Sequence, residues 1–113
     1  MWTVPGNVVR VIDGDTLVVD LDLGWRVWRL GERVRLAGIN APEMDTEQGR
    51  AARMFACDLL HLPYREVHEP APVTVMSKGF DKYGRVLGIV ILSDAHVLAN
   101  EILNAGHAQP MKG

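Results

Sequence analysis

The sequence predicts an α+β domain that is mainly β, and three observations lead there. Apolar, β-branched runs broken by Asp and Gly fill residues 7–39. A helical period then occupies residues 46–60. Two further strand-like runs follow a proline-rich connection, and a short helical segment ends the pattern. A chain of 113 residues suits one core, since domains hold roughly 100–150 residues. Residues 1–113 are therefore expected to form a single domain.

The elements follow in order. "NVVRVID" (7–13) and "TLVVDLDL" (16–23) are apolar and β-branched, and Asp13-Gly14-Asp15 between them predicts strand, tight turn, strand. "GWRVWRLGE" (24–32) alternates bulky and cationic residues at Trp25, Arg26, Val27, Trp28 and Arg29. Turn signals at Gly24 and Gly31 bound it, so it reads as an extension of the hairpin or a flap. "RVRLAGI" (33–39) is the third strand. Asp45 with Gln48 forms a capping box, and Ala51, Ala52, Phe55, Ala56, Leu59 and Leu60 recur at helical spacing over 46–60. "HLPYREVHEPAP" (61–72), with three prolines, is a connection. "VTVMSK" (73–78) and "RVLGIVIL" (85–92) are strands joined by "GFDKYG", and "LANEILNA" (98–105) is a helix stopped at Gly106. Five strands with a helix between the third and fourth is the order of a five-stranded Greek-key OB barrel, here with two to three helices. Such barrels often bind oligonucleotides on one face.

At 48% hydrophobic and 23% charged, the composition is that of a soluble globular protein. A formal net charge of −2 excludes a global basic field, so any phosphate-handling site must be a local cluster of cations. That balance argues against a tight nucleic-acid coat and suits an enzyme that releases its product. Cys57 is the only cysteine, and its setting "RMFACDLL" predicts an inert buried thiol. There is no basic segment leading into an apolar one at the start, nor an apolar run near the ~20 residues of a membrane span. A cytoplasmic chain without membrane association is expected, as a monomer. His61, His68, His96 and His107 lack metal-binding spacing, Arg50 and Arg53 are expected to be solvated, and Trp25 and Trp28 either pack on the barrel or flap or form a nucleic-acid or dimer patch.

Chemistry concentrates in three short segments. Taken singly each has a plain reading. "VIDGDT" is hairpin-turn chemistry, and "DKYGR" is a solvated turn carrying Asp81, Lys82, Tyr83 and Arg85. In "VRLAGINAPE", Arg35 sits among Val34, Leu36 and Ile39 and must meet an anion, either a structural carboxylate or a bound phosphate. Together they are sharper. Cleaving a phosphodiester at neutral pH calls for guanidiniums on the non-bridging oxygens, a divalent cation on hard oxygen ligands, and a carboxylate beside the attacking water. Asp13, Asp15, Asn40 and Glu43 supply oxygens, and Arg35 and Arg85 supply cations.

The four stretches "VIDGDT", "RLAGINAPE", "DKYGR" and "NEILNAGHA" resemble, in order and spacing, the staphylococcal-nuclease-like (thermonuclease) domain family, in a compact bacterial or phage-type form. The resemblance implies an OB fold and calcium-dependent hydrolysis of DNA and/or RNA that leaves 3′-phosphate ends. It further implies that Asp15, Asn40 and the Ala41 carbonyl bind calcium, with Asp13 just outside that shell. Glu43 would act as general base or orient the water, Arg35 and Arg85 would grip the phosphate, and Lys82 and Tyr83 would contact the nucleotide. Two departures matter. Asn40 is an amide where many members carry a carboxylate, which implies weaker calcium binding. No aromatic residue follows Tyr83, so base stacking falls to Tyr83 or to the Trp25/Trp28 segment. The rival reading is a catalytically weak OB module that binds nucleic acid or a protein partner.

Overall fold

Alternation of apolar and polar residues resolves into long strands interrupted by register shifts. The computed structural model describes residues 2–61 and 71–111. Its elements are β1 (Trp2–Asp13), β2 (Thr16–Asp22), β3 (Trp28–Leu36), β4 (Ile39–Asn40), α1 (Glu47–Leu60), β5 (Ala71–Phe80), β6 (Val86–Leu92), α2 (Leu98–Asn104) and β7 (Gln109–Pro110). In β1, Val4, Gly6 and Val8 face inward at period two, and an irregularity before Arg10 shifts the inward position to Val11. The strand starts earlier than the sequence suggests because its first half pairs with β5, from Trp2↔Ser77 to Val8↔Ala71. Pro5 is tolerated within it because it precedes the first β2 pair, Gly6↔Leu21, leaving one side of β1 unpaired there.

The barrel closes in the order β1-β2-β3-β6-β5, the expected α+β, OB-like architecture with two helices among the described residues. Closure is made by one short parallel ladder, Val34↔Val86, Arg35↔Leu87 and Leu36↔Gly88. Inside lie Val8, Leu17, Val19, Val34, Leu36, Val75 and Val90, all fully buried. Ala56, Cys57 and Leu60 of α1 and Leu98 and Ile102 of α2 join that core. Burial raises the Cys57 thiol pKa, as expected of an unreactive core cysteine. The opposite, Trp2 end of the barrel holds an apolar cavity of about 170 Å³ lined by Val4, Leu21, Leu23, Val75 and Phe80.

Several expectations shift. The α1 cap is Thr46 rather than Asp45: its hydroxyl accepts the Gly49 amide at 3.0 Å and donates to the Glu43 carbonyl at 2.6 Å. Arg53 is not free in solvent, since its Nε donates to the Val11 carbonyl at 2.9 Å and ties α1 to β1. At the far end of α2, the His107 and Gly106 amides donate to the Ile102 and Leu103 carbonyls around Gly106 in the left-handed region, a Schellman stop. "GWRVWRLGE" does extend the β2–β3 hairpin, but its tryptophans do not pack in the barrel: Trp25 is 98% and Trp28 45% exposed. Most of the proline-rich connection, with His68, lies outside the described residues. Among the described residues no helix is long and apolar enough to cross a membrane.

Candidate active site

The site begins at the β1–β2 turn. The Asp15 amide donates to Asp13 Oδ1 at 3.0 Å, which holds the turn. Gly14 is required here by space: a Cβ would lie 2.8 Å from the Cβ atoms of both Ala41 and Ala52. The turn therefore tucks under the β4 loop and α1 and delivers Asp15 to the end of β3.

Asp15 and Arg35 are both buried, at 7% and 8% exposure, and they face each other with Arg35 Nη2 3.3 Å from Asp15 Oδ2. The Ala41 amide donates to the same Oδ2 at 2.8 Å, and the Thr16 hydroxyl donates to Oδ1 at 3.1 Å. Arg35 Nη1 donates to the Leu36 carbonyl at 2.8 Å, and Nη2 reaches Asn40 Oδ1 at 3.3 Å. The cation in the apolar strand thus has a structural carboxylate. It also keeps capacity, since its Nε–H has no partner among the described residues. Asp15, Arg35, Asn40 and Ala41 form one connected group. Beside it, burial raises the Asp13 carboxyl to about 6, and the neighbouring Asp15 adds to the rise.

The second guanidinium arrives on the next strand. Val34 and Val86, paired across the parallel ladder, point into the barrel, so Arg35 and Arg85 project from its outer face. They stand two ladder positions apart, about 7 Å along the strand direction. Arg85 Nε donates to Asp81 Oδ2 at 2.7 Å, while Asp81 Oδ1 accepts the Tyr83 and Arg85 amides at 2.9 Å each. Partial burial pushes the Asp81 carboxyl up, but these hydrogen bonds outweigh it and hold the pKa below the ordinary value. The Tyr83 ring is shared by Lys82 Nζ at 5.2 Å and Arg85 Cζ at 5.3 Å. Asp81 was missed as a positioning group in the sequence, although an Asp four residues before an Arg across a Gly turn is a readable signal. Because its folded-state pKa is lowered, the Asp81–Arg85 pair contributes fully at neutral pH and is lost only as the pH falls through that lowered value. Asp81→Asn is expected to release Arg85 and raise the KM for an oligonucleotide several-fold, read by steady-state kinetics at pH 7; an unchanged KM would mean that Arg85 needs no tether.

Glu43 sits two residues beyond Ala41, exposed, with its carbonyl bonded to the Thr46 amide and hydroxyl. Its carboxylate takes no partner among the described residues, so it is free to meet a water or ligand. Gly49 sets where this loop lies, since a Cβ there would fall 1.8 Å from the Glu43 carbonyl oxygen. As a metal centre the donor set is thin. Among the described residues no three His, Cys, Asp or Glu side chains converge as a metal cluster. What is present is one buried carboxylate, an amide oxygen on the same guanidinium, and a main-chain carbonyl. These are hard oxygen donors suited to calcium, and Asp15 Oδ1, which accepts only the Thr16 hydroxyl among the described residues, retains a second lone pair.

The family model described as staphylococcal nuclease homologue matches residues 33–112. The chain is 41% identical over 85 residues to a micrococcal nuclease of Shigella flexneri, covering 75% of this chain and 41% of that protein. It is 35% identical over 103 residues to an uncharacterized endonuclease of Escherichia coli, covering 91% of this chain and 58% of that one. A thermonuclease of Staphylococcus intermedius matches at 37% over 93 residues, 77% of this chain and 48% of the other. The chain thus spans about half the length of these relatives. With the matched region holding Arg35, Asn40, Glu43 and Arg85 on the barrel just described, the chain belongs to the staphylococcal nuclease homologue family.

Proposed function

We propose that the chain is a calcium-dependent phosphodiesterase that hydrolyses DNA and/or RNA to 3′-phosphate products. The observation that supports this reading is the connected group of Asp15, Arg35 and Asn40, with Arg85 projecting from the same face. Asp15, Asn40 and the Ala41 carbonyl would hold the cation. Bound there, calcium supplies Lewis acidity to a phosphate oxygen. The rest is done by the chain's own groups. Arg35, locked by Asp15 and the Leu36 carbonyl, presents its open N–H to a non-bridging oxygen at little reorganisation cost. Arg85, steadied by Asp81, grips a second oxygen as charge grows on the phosphorane. Glu43, unengaged and exposed, orients a water and takes its proton as that water's oxygen bonds to phosphorus. The P–O5′ bond breaks, the departing 5′ oxygen takes a proton from solvent, and the phosphate stays on the 3′ side. Lys82 and Tyr83 flank the nucleotide beside Arg85.

The test is cleavage of end-labelled single-stranded DNA, duplex DNA and RNA with calcium or with EDTA, followed by mapping of product ends. Calcium-dependent cleavage leaving 3′-phosphates is expected. Stable oligonucleotide binding without cleavage would instead favour a catalytically weak binding module. Asn40→Asp restores a charge to the thin donor set and should lower the calcium concentration for half-maximal activity by about tenfold, of the order of a carboxylate's added attraction. An unchanged calcium titration would remove Asn40 from the metal site.

A further inference from the structure

The β2–β3 hairpin carries a face that the reading above leaves unused. The register places it. Val18↔Arg33 is an outward pair, because Leu17↔Val34 beside it is buried inside the barrel. Between Val19↔Glu32 and Leu21↔Arg29 the β3 side holds one extra residue, a bulge at Gly31 whose φ is 68°. The bulge puts Glu32 and Arg29 together on the cavity side, where they pair with each other. Leu30 and Trp28 are thereby turned to the outside, 72% and 45% exposed. One outer face of β3 therefore reads Arg35, Arg33, Leu30, Trp28.

Arg33 is the telling residue. By continuation of the parallel ladder from Val34↔Val86, it stands opposite Arg85, one outward position along from Arg35. It is exposed and makes no hydrogen bond or ion pair among the described residues. Three guanidiniums thus lie on one face of a chain whose net charge is −2. Farther along, the cations give way to Leu30 and Trp28. The acidic neighbours on β2 are committed to the hairpin, with Asp20 accepting the Gly31 amide at 2.8 Å and Asp22 the Gly24 amide at 2.9 Å.

We propose that this face is a substrate track continuing from the Arg35 site, with Arg33 on the phosphate next to the scissile one and Leu30 and Trp28 against unpaired bases beyond it. The inference rests on the nuclease reading for its starting point. The occupant it commits to is a single-stranded polynucleotide. Charge complementarity fixes the phosphate end, and continuity with the Arg35–Arg85 pair fixes the direction. The carboxylates of Asp20 and Asp22 keep a backbone away from the far end, so contact there is to bases, which present an apolar face for stacking. Paired bases cannot offer that face. The run from Arg35 to Trp28 is about 23 Å, enough for several nucleotides.

The experiment is fluorescence anisotropy of a labelled single-stranded 12-mer and its duplex, in EDTA so that nothing is cut, over a series of salt concentrations. Roughly one counterion is released per phosphate neutralised, with a log–log salt slope of about 0.7 per contact for single strands. Arg33→Gln should lower that slope by about 0.7 and weaken binding about tenfold, and Arg33→Lys should restore the slope. Trp28→Ala should weaken single-strand binding about tenfold with the slope unchanged, and should not affect the duplex. An unaltered slope in Arg33→Gln, or equal loss for both strands in Trp28→Ala, would overturn the track. Cleavage by the wild-type protein in calcium is scored separately. Wild-type binding with these variant effects but no cleavage sinks the nuclease reading and leaves the track standing. Cleavage with variants that bind like wild type does the reverse.

Discussion

Replacing Arg35 by alanine is expected to lower kcat/KM on single-stranded DNA by about a thousandfold and to destabilise the fold by about 3 kcal/mol. The first figure is the usual effect of removing a preorganised cation from a developing phosphorane. The second arises because Asp15 stays buried after its cation is gone. The Thr16 hydroxyl and the Ala41 amide remain on Asp15, which keeps the loss short of complete unfolding. Arg35→Lys separates the two effects. An ammonium keeps the charge beside Asp15 but cannot hold the Leu36 carbonyl, Asn40 and a phosphate oxygen at once. It should recover most of the stability and little of the rate. Urea unfolding and initial-rate kinetics on the same preparations check this. Activity within tenfold of wild type in Arg35→Ala would remove Arg35 from the chemistry.

Gly49→Ala is expected to destabilise the protein by about 3 kcal/mol, although alanine is normally favoured over glycine in a helix. The new Cβ would lie 1.8 Å from the Glu43 carbonyl oxygen, 2.4 Å from its carbon and 2.9 Å from the Pro42 carbonyl oxygen. All three atoms are backbone, so no side chain can swing aside. Either α1 tilts or the loop carrying Ala41, Pro42 and Glu43 moves off. In the second case activity at saturating calcium falls more than the folded fraction does. Thermal unfolding monitored by circular dichroism, set beside kcat measured well below the transition, distinguishes the two. A variant as stable and as active as wild type would show that the close approach is not needed.

The sequence made the barrel legible because its strands are two-sided. Leu17, Val19 and Leu21 in β2 announce an interior through their alternation alone, and Val8 and Val11 in β1 through their β-branched run. Arg35 was legible as a cation out of place, and its neighbours Asp15, Asn40 and Ala41 lie in short motifs that turn chemistry singles out. The rest depends on long-range contacts that no local pattern encodes. The early start of β1 follows from pairing with β5, some seventy positions away. Thr46 displaced Asp45 as the cap because the Glu43 carbonyl takes its hydroxyl, a contact set by the loop's path rather than by helix propensity. The outward direction of Leu30 and Trp28 turns on one extra residue at Gly31. Trp25 and Arg26 both adopt left-handed backbone, with φ of 57° and 61°, in a turn where Asn-Gly would be the expected pair. Nothing in "GWRVW" advertises that.

The clasp between residues 34–36 and 86–88 has a temporal consequence. It joins segments about fifty residues apart, and closing so long a loop is entropically costly until the intervening helix and strands have docked. Arg35 and Arg85 belong to the two halves of that clasp. A half-synthesised chain therefore holds Arg35 without Arg85, and the face that carries both guanidiniums exists only once the two segments have met.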